Sequence, residues 1–233
     1  MNKDILICGV GGQGTVLASK IIAAAAMEEG SPVHSAETIG MAQRGGSVTS
    51  HVRIGGEACS PLIPYGSADM LLAFEPGEAV RNLKYLRQGG IAVVNTAPTK
   101  PVTESLRDTG YDGREMIEYL QQKCDCILIN AEEVCKPFGS TRFFNVILLG
   151  VAAGSGHLGL SRETLLRQLE KRVPPKYLEI NTRAFLAGVE IAGQASGERK
   201  GEYTHENQRD PAGPCGQADQ AYSCQRKLLQ RSV

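Results

Sequence analysis

Residues 5–15 read Ile5-Leu6-Ile7-Cys8-Gly9-Val10-Gly11-Gly12-Gln13-Gly14-Thr15. The first four form a continuous apolar run of the kind buried on both faces of a parallel sheet. Gly9 to Gly14 satisfies G-x-G-x-x-G directly after that strand, and Thr15 to Met27 follows with Leu17, Ile21 and Ala24 at helical spacing. Strand, glycine turn and helix in this order open a crossover unit. Gly30 and Pro32 end the helix, and Val33 to Ala36 is expected as the second parallel strand of one βαβ unit. The glycines permit close backbone approach, and the helix start offers unpaired N–H groups and partial positive charge to an anion. They serve equally to pack helix on strand, so the pattern alone names no ligand.

Further along, Ser47 to Ile54 alternates apolar and polar residues with period two, the signature of a strand with one polar face. Gly55-Gly56 then predicts a turn and Ala58 to Ile63 a returning hairpin strand, which makes the sheet mixed. Met70 to Phe74 and Ile91 to Val94 read as two more buried strands, with an amphipathic helix over Glu78 to Leu86 between them. A helix over Arg114 to Lys123 precedes a strand that ends at Asn130. Phe143 to Ala153 is too long an apolar run for a strand and predicts a buried helix with Asn145 and Gly150 on one side. Ser161 caps a helix over Arg162 to Arg172, Pro174-Pro175 ends it, and a last helix is expected over Lys176 to Ala192. The fold class is α/β: a three-layer α/β/α, Rossmann-like domain with a mostly parallel, mixed sheet over residues 1–192. From Gly193 to Val233 the chain turns polar, and a disordered tail is expected there.

Lysine plus arginine equals aspartate plus glutamate at 25 each, which removes the basic charge that drives binding to nucleic acid or anionic lipid. No apolar run approaches the roughly 20 residues of a membrane span, and a cytoplasmic location is expected. The seven cysteines are irregularly spaced and suit reduced thiols. Cys124, Cys126 and Cys135 make neither a ferredoxin run nor paired zinc knuckles, so no metal site is expected.

Glu37 follows the expected second strand, where a dinucleotide fold holds ribose hydroxyls. Glu37-Thr38-Ile39-Gly40-Met41-Ala42-Gln43-Arg44-Gly45-Gly46-Ser47 is nevertheless an unusual loop for that fold. Arg44 is able to pair bidentately with phosphate or carboxylate, while Gly45 and Gly46 let a ligand or a partner's backbone approach. His34 and His51 are proton carriers by residue type alone.

Four motifs in order carry a resemblance: Gly9 to Gly14; Glu37 to Ser47; Ser60-Pro61-Leu62-Ile63-Pro64; and Ala68 to Pro76, with Val94-Asn95-Thr96 behind them. Together they resemble the gamma-type domain of the 2-oxoacid:ferredoxin oxidoreductases over about residues 4 to 192. The Gly-Met-Ala-Gln-Arg-Gly-Gly run at 40–46 is similar to that of the indolepyruvate subfamily. The resemblance implies oxidative decarboxylation of indolepyruvate and other aryl pyruvates on thiamine diphosphate, two electrons passed through iron–sulfur clusters to ferredoxin, and acyl transfer to coenzyme A. It implies a partner alpha subunit carrying thiamine diphosphate, Mg²⁺ and the 4Fe-4S clusters, because this chain has no cysteine-rich cluster motif and no thiamine signature. This chain would then bind no cofactor tightly alone. Gly9, Gly11, Gly12, Gln13, Gly14, Gln43, Arg44, Gly45 and Gly46 are its candidate functional surface, either holding coenzyme A phosphates or packing against the alpha subunit.

Overall fold

A computed structural model describes residues 1–39, 45–56, 60–99 and 111–202. Six strands, β1 (Lys3–Val10), β2 (Val33–Ile39), β3 (Ser47–Ile54), β4 (Ala68–Ala73), β5 (Leu86–Asn95) and β6 (Asp125–Ile129), form one sheet in the order β2-β3-β1-β4-β5-β6. β1, β4, β5 and β6 are parallel neighbours, and β3 lies antiparallel to both β1 and β2. The sheet is mixed and mostly parallel, as the sequence predicts.

The expected βαβ unit is altered in one respect. β1 and β2 run the same way and α1 (Thr15–Glu28) joins them, but β3 is inserted between them. The hairpin is therefore β2–β3, not a return after Gly55-Gly56. Of the expected return strand, 58 and 59 lie outside the described residues and Ser60–Ile63 forms no strand. Pro61 and Pro64 have no N–H for a ladder, and the Ile63 amide instead donates to His51 Nδ1 at 3.1 Å.

Alternate residues of the central strands feed two cores. Ile5, Ile7, Met70, Leu72 and Val93 face α1, the short α4 (Ala131–Cys135), α5 (Phe144–Gly154), α6 (Arg162–Glu170) and α7 (Leu178–Glu202). Leu6, Leu71, Ala73 and Val94 face α2 (Pro76–Asn82) and α3 (Arg114–Lys123). This is the three-layer arrangement expected of a sheet whose strands are apolar on both sides. The helix expected over Glu78 to Leu86 begins earlier and ends sooner: Glu75 caps it, Pro76 occupies its first turn, and Leu83–Tyr85 tightens into a 3-10 turn. Leu86 already belongs to β5, paired with Ala68. The last helix runs from Leu178 through residue 193 to Glu202, beyond its expected end at Ala192. Residues 203–233, which hold the rest of the expected tail, lie outside the described residues.

The α5 and α7 backbones meet at Gly150 and Gly188, where an added Cβ would fall 2.1 Å from the carbonyl oxygens of Phe185 and Ile147 respectively. That contact seats the apolar α5 against α7 and fixes its N-terminal end above the sheet.

Ser50 is fully buried in β3, and its hydroxyl has no hydrogen-bond partner among the described residues. A desolvated, unpaired hydroxyl costs about 1 kcal/mol or more. Ser50→Ala is therefore expected to leave Tm unchanged or raise it by up to about 3 °C. A fall of several degrees in thermal denaturation would show that the hydroxyl has a role not visible in its contacts.

Candidate functional site

Between the end of β1 at Val10 and the start of α1 at Thr15, the chain turns through Gly12 and Gly14 at φ 101° and 92°. These left-handed angles suit glycine and leave α1 with Gly14 as its N-cap and no side-chain capping bond. The fourteen-residue helix thus opens with uncapped amides and the positive end of its dipole. Gly9 and Gln13 play a different part. A Cβ on Gly9 would lie 2.7 to 2.9 Å from Gln13, Phe74 and Thr15, so Gly9 is needed for packing. Gln13 Oε1 accepts from the Val10 amide at 2.7 Å, and Nε2 donates to the Phe74 carbonyl at 3.2 Å and Thr99 Oγ1 at 2.9 Å. Its amide braces the turn from within.

Gly45 and Gly46 lie beside this turn: the Gly11 amide donates to the Gly46 carbonyl at 2.8 Å. The glycine bend and the exit of the 40–46 loop therefore share one side of the molecule, while Gln43 and Arg44 fall outside the described residues. Ser47, next in sequence, donates to Glu78 Oε2 at 2.6 Å, and Glu78 also takes Arg81 Nη1 at 2.5 Å. Glu78 is only 2% exposed, so it is a buried anchor for that exit. Glu75 caps α2 by accepting from the Glu78 amide at 2.8 Å and takes the Tyr111 hydroxyl at 2.6 Å. Burial pushes the Glu75 carboxyl above its ordinary range, opposed by the hydrogen bonds from Tyr111 and the Glu78 amide. Burial and the neighbouring Glu75 charge push the Tyr111 phenol upward.

At the carboxyl ends of β1, β5 and β6 a cleft of about 410 Å³ opens, bordered by Gly12, Gly14, Asn95, Glu132, Arg142 and Asn145. Its floor is built by Asn95, 4% exposed. Asn95 Nδ2 donates to the carbonyls of Phe74 (3.0 Å) and Ala97 (3.1 Å). Its Oδ1 accepts from the amides of Ala97 and Ala131, both at 3.1 Å. One side chain thus joins the ends of three parallel strands. Asn145, in the first turn of α5, lies over Gly14, and exposed Arg142 sits just before that helix. Gly12 and Gly14, at the uncapped α1 start, and Arg142 line one cleft together with Glu132. A concave site at strand carboxyl ends with a helix start and an arginine suits a phosphorylated ligand.

Sequence reasoning passed over Arg142 and Asn145 as site residues. Asn145 had a signal, being the one amide in the apolar run from Phe143 to Ala153. Arg142 had none, because only the docking of α5 brings it to the cleft.

Glu37 does not sit where a dinucleotide site needs it. β3 separates its strand from β1, and its carboxylate accepts from Ser19 Oγ at 3.2 Å on α1. Buried His51 is engaged through Nδ1 by the Ile63 amide, and burial lowers its pKa, which favours a neutral structural imidazole. His34 is exposed on the edge strand β2. Among the described residues no group of three or more His, Cys, Asp or Glu is arranged to hold a metal ion. No described helix is long and apolar enough to cross a membrane.

This mixed, mostly parallel sheet with its covering helices has counterparts in solved structures. The gamma subunit of a keto/oxoacid ferredoxin oxidoreductase from Geobacter sulfurreducens PCA superposes with TM-score 0.61 at 24% identity, covering 82% of this chain and 99% of that one. The 2-oxoglutarate:ferredoxin oxidoreductase from Magnetococcus marinus, solved with 2-oxoglutarate, coenzyme A and succinyl-CoA bound, superposes with TM-score 0.62 at 21% identity, covering 91% of this chain and 33% of that one. At these identities the likeness establishes the fold. Sequence goes further: a model of the pyruvate ferredoxin/flavodoxin oxidoreductases matches residues 4–191, and the chain belongs to that family. Within it, the chain is 36% identical over 197 residues to the indolepyruvate oxidoreductase subunit IorB of Methanothermobacter thermautotrophicus, covering 84% of this chain and 100% of that one. It is accordingly an oxidoreductase subunit of the 2-oxoacid:ferredoxin class.

Proposed function

We propose that this chain supplies the coenzyme A subsite of an indolepyruvate-type oxidoreductase, with the phosphates of coenzyme A in the cleft above Asn95. The carrying observation is that Gly12 and Gly14, at the uncapped start of α1, and Arg142 line the same cavity. Two relations support the reading: the fold is shared with an enzyme solved with coenzyme A bound, and the chain is similar to indolepyruvate oxidoreductase subunits. In the overall reaction an aryl 2-oxoacid and coenzyme A give the aryl-acetyl thioester and CO₂, with two electrons passed to ferredoxin and one proton released.

The described residues of this chain do not fit the redox equipment. Cys8 and Cys135 are buried within separate cores, and among the described residues no group of three or more His, Cys, Asp or Glu able to hold a metal gathers at Cys124 and Cys126. Thiamine diphosphate, Mg²⁺ and iron–sulfur clusters therefore belong, in this reading, to a partner alpha subunit, and this chain is inactive without it. Its own residues bind and orient: the first-turn amides of α1 and Arg142 take anionic oxygens, and Asn95 keeps the floor fixed.

The test is steady-state kinetics of the two-subunit complex, reading aryl-pyruvate-dependent reduction of a low-potential dye. Loss of a charge-assisted phosphate contact costs about 1.5 to 3 kcal/mol, so Arg142→Ala is expected to raise the KM for coenzyme A about tenfold or more. The KM for the 2-oxoacid and the amount of complex should not change. An unaltered KM for coenzyme A in an intact complex would refute the placement, as would full turnover by the isolated chain.

A further inference from the structure

We propose that Cys124 and Cys126 form a dithiol that exchanges reversibly with low-molecular-weight disulfides, at a site separate from the cleft and independent of the coenzyme A reading. Cys124 closes α3 as its C-cap in an extended conformation, φ −154° and ψ 164°, and Cys126 is the second residue of β6. Asp125 between them is exposed, whereas both cysteines turn inward, half-buried, against the core beneath α3. This is the alternation of an extended segment, and it brings the two Sγ atoms to 3.6 Å. A disulfide needs them to close to about 2.05 Å, a movement of roughly 1.5 Å at the junction where the helix has ended and the ladder is only beginning.

The remaining described cysteines have no such neighbour and are chemically muted. Cys8 is fully buried, and burial with the charges of Glu78 and Glu75 raises its thiol well above the ordinary value. Burial pushes Cys135 up to about 11. Cys124 moves the other way, because the hydrogen bond with Cys126 favours its thiolate against the effects of burial and Asp125. Since the thiolate is the attacking species, Cys124 is the entry point. Its sulfur attacks a disulfide RSSR and expels one thiolate; Cys126, after losing its proton, attacks the mixed disulfide at the Cys124 sulfur and expels the second. In sum, two protein thiols and RSSR give one protein disulfide and two RSH. The linked residues are two apart in the chain and cross-link no separate elements. Oxidation therefore leaves the fold and the cleft, at the opposite ends of the strands, in place.

The experiment treats the full chain, with Cys59, Cys215 and Cys224 replaced by serine, with oxidised glutathione and reads intact mass and alkylatable thiols. The expected product has lost about 2 Da and two thiols, carries no glutathione, and is restored by dithiothreitol. Cys126→Ser should accumulate a glutathione adduct on Cys124, and Cys124→Ser should react at least tenfold more slowly than the parent. Differential alkylation with peptide mapping of the unaltered chain gives the same reading if the serine substitutions disturb folding. Retention of both thiols under these conditions, reaction as fast without Cys124, or a disulfide made to Cys8 or Cys135 would overturn the proposal.

Discussion

Asn95→Asp is expected to lower Tm by about 10 °C at pH 8, and by clearly less at pH 5. The amide uses both ends, donating to the carbonyls of Phe74 and Ala97 and accepting from the amides of Ala97 and Ala131. A carboxylate keeps the accepting half but turns a second oxygen against two carbonyl oxygens in a position 4% exposed. Leaving such a group buried and opposed costs about 3 to 5 kcal/mol, and about 2 to 4 °C of Tm accompanies each kcal/mol in a domain of this size. The introduced carboxyl would have a folded-state pKa raised above its unfolded value of about 3.9. Its contribution is then most favourable below that unfolded value, where the protonated acid still donates to one carbonyl, and is lost as pH rises through the raised pKa. Thermal denaturation at the two pH values measures the difference. Equal deficits, or a deficit of only a degree or two, would mean that Asn95 is not the joint between strand ends described above.

The second large effect separates two glycines of one turn. Gly12 and Gly14 both have left-handed φ, but an added Cβ at Gly12 meets nothing within 4 Å, whereas at Gly14 it falls 2.5 Å from Asn145 Nδ2 and 3.0 Å from Asn145 Cβ. Gly12→Ala is expected to cost the backbone penalty alone, about 1 to 2 kcal/mol. Gly14→Ala adds overpacking of about 1 to 3 kcal/mol and pushes the start of α1 away from α5. It should therefore lower Tm about twice as far and weaken coenzyme A binding by the complex. Trimming the obstacle in the Gly14→Ala, Asn145→Ala double variant should return most of the packing part and none of the backbone part. Indistinguishable Tm values for the two single variants would remove Asn145 from this explanation.

How far the sequence revealed this arrangement depended on the range of the interactions involved. The β1, glycine bend and α1 order was legible because a double-sided apolar run, two left-handed glycines and a helical repeat are all local. β3 was legible as a strand for the same reason: Val48, Ser50, Val52 and Ile54 alternate with Thr49, His51 and Arg53. Its partners were not. Nothing in a period-two pattern says that β3 enters between β1 and β2, because that choice depends on residues elsewhere covering each side of the strand. The missing hairpin after Gly55-Gly56 has a comparable cause. Ile63 is apolar because it plugs the core beside His51, not because it belongs to a ladder. At the site, the glycine pattern marks the turn before α1; Gln13, expected on a surface that holds coenzyme A phosphates or packs against the alpha subunit, has its side-chain amide in hydrogen bonds to Val10, Phe74 and Thr99. Asn145 on α5 and Arg142 in the turn before it lie some 130 residues from the glycine bend, and sequence spacing carries no trace of that approach. Glu75 and Glu78 are buried with hydroxyls from Tyr111 and Ser47, which lie 36 and 31 residues away in sequence and are brought to them only by the fold.

The intercalated β3 has a consequence for the order in which the molecule assembles during synthesis. β1, α1 and β2 emerge first, yet β1 has no neighbour on that side until β3 arrives, since the gap between β1 and β2 is one full strand wide. Residues 3–39 thus hold two strands that are not neighbours in the finished sheet. β3 is hydrogen-bonded to β2 on one side and β1 on the other, and its Val52 and Ile54 are part of the apolar ground on which α1 rests.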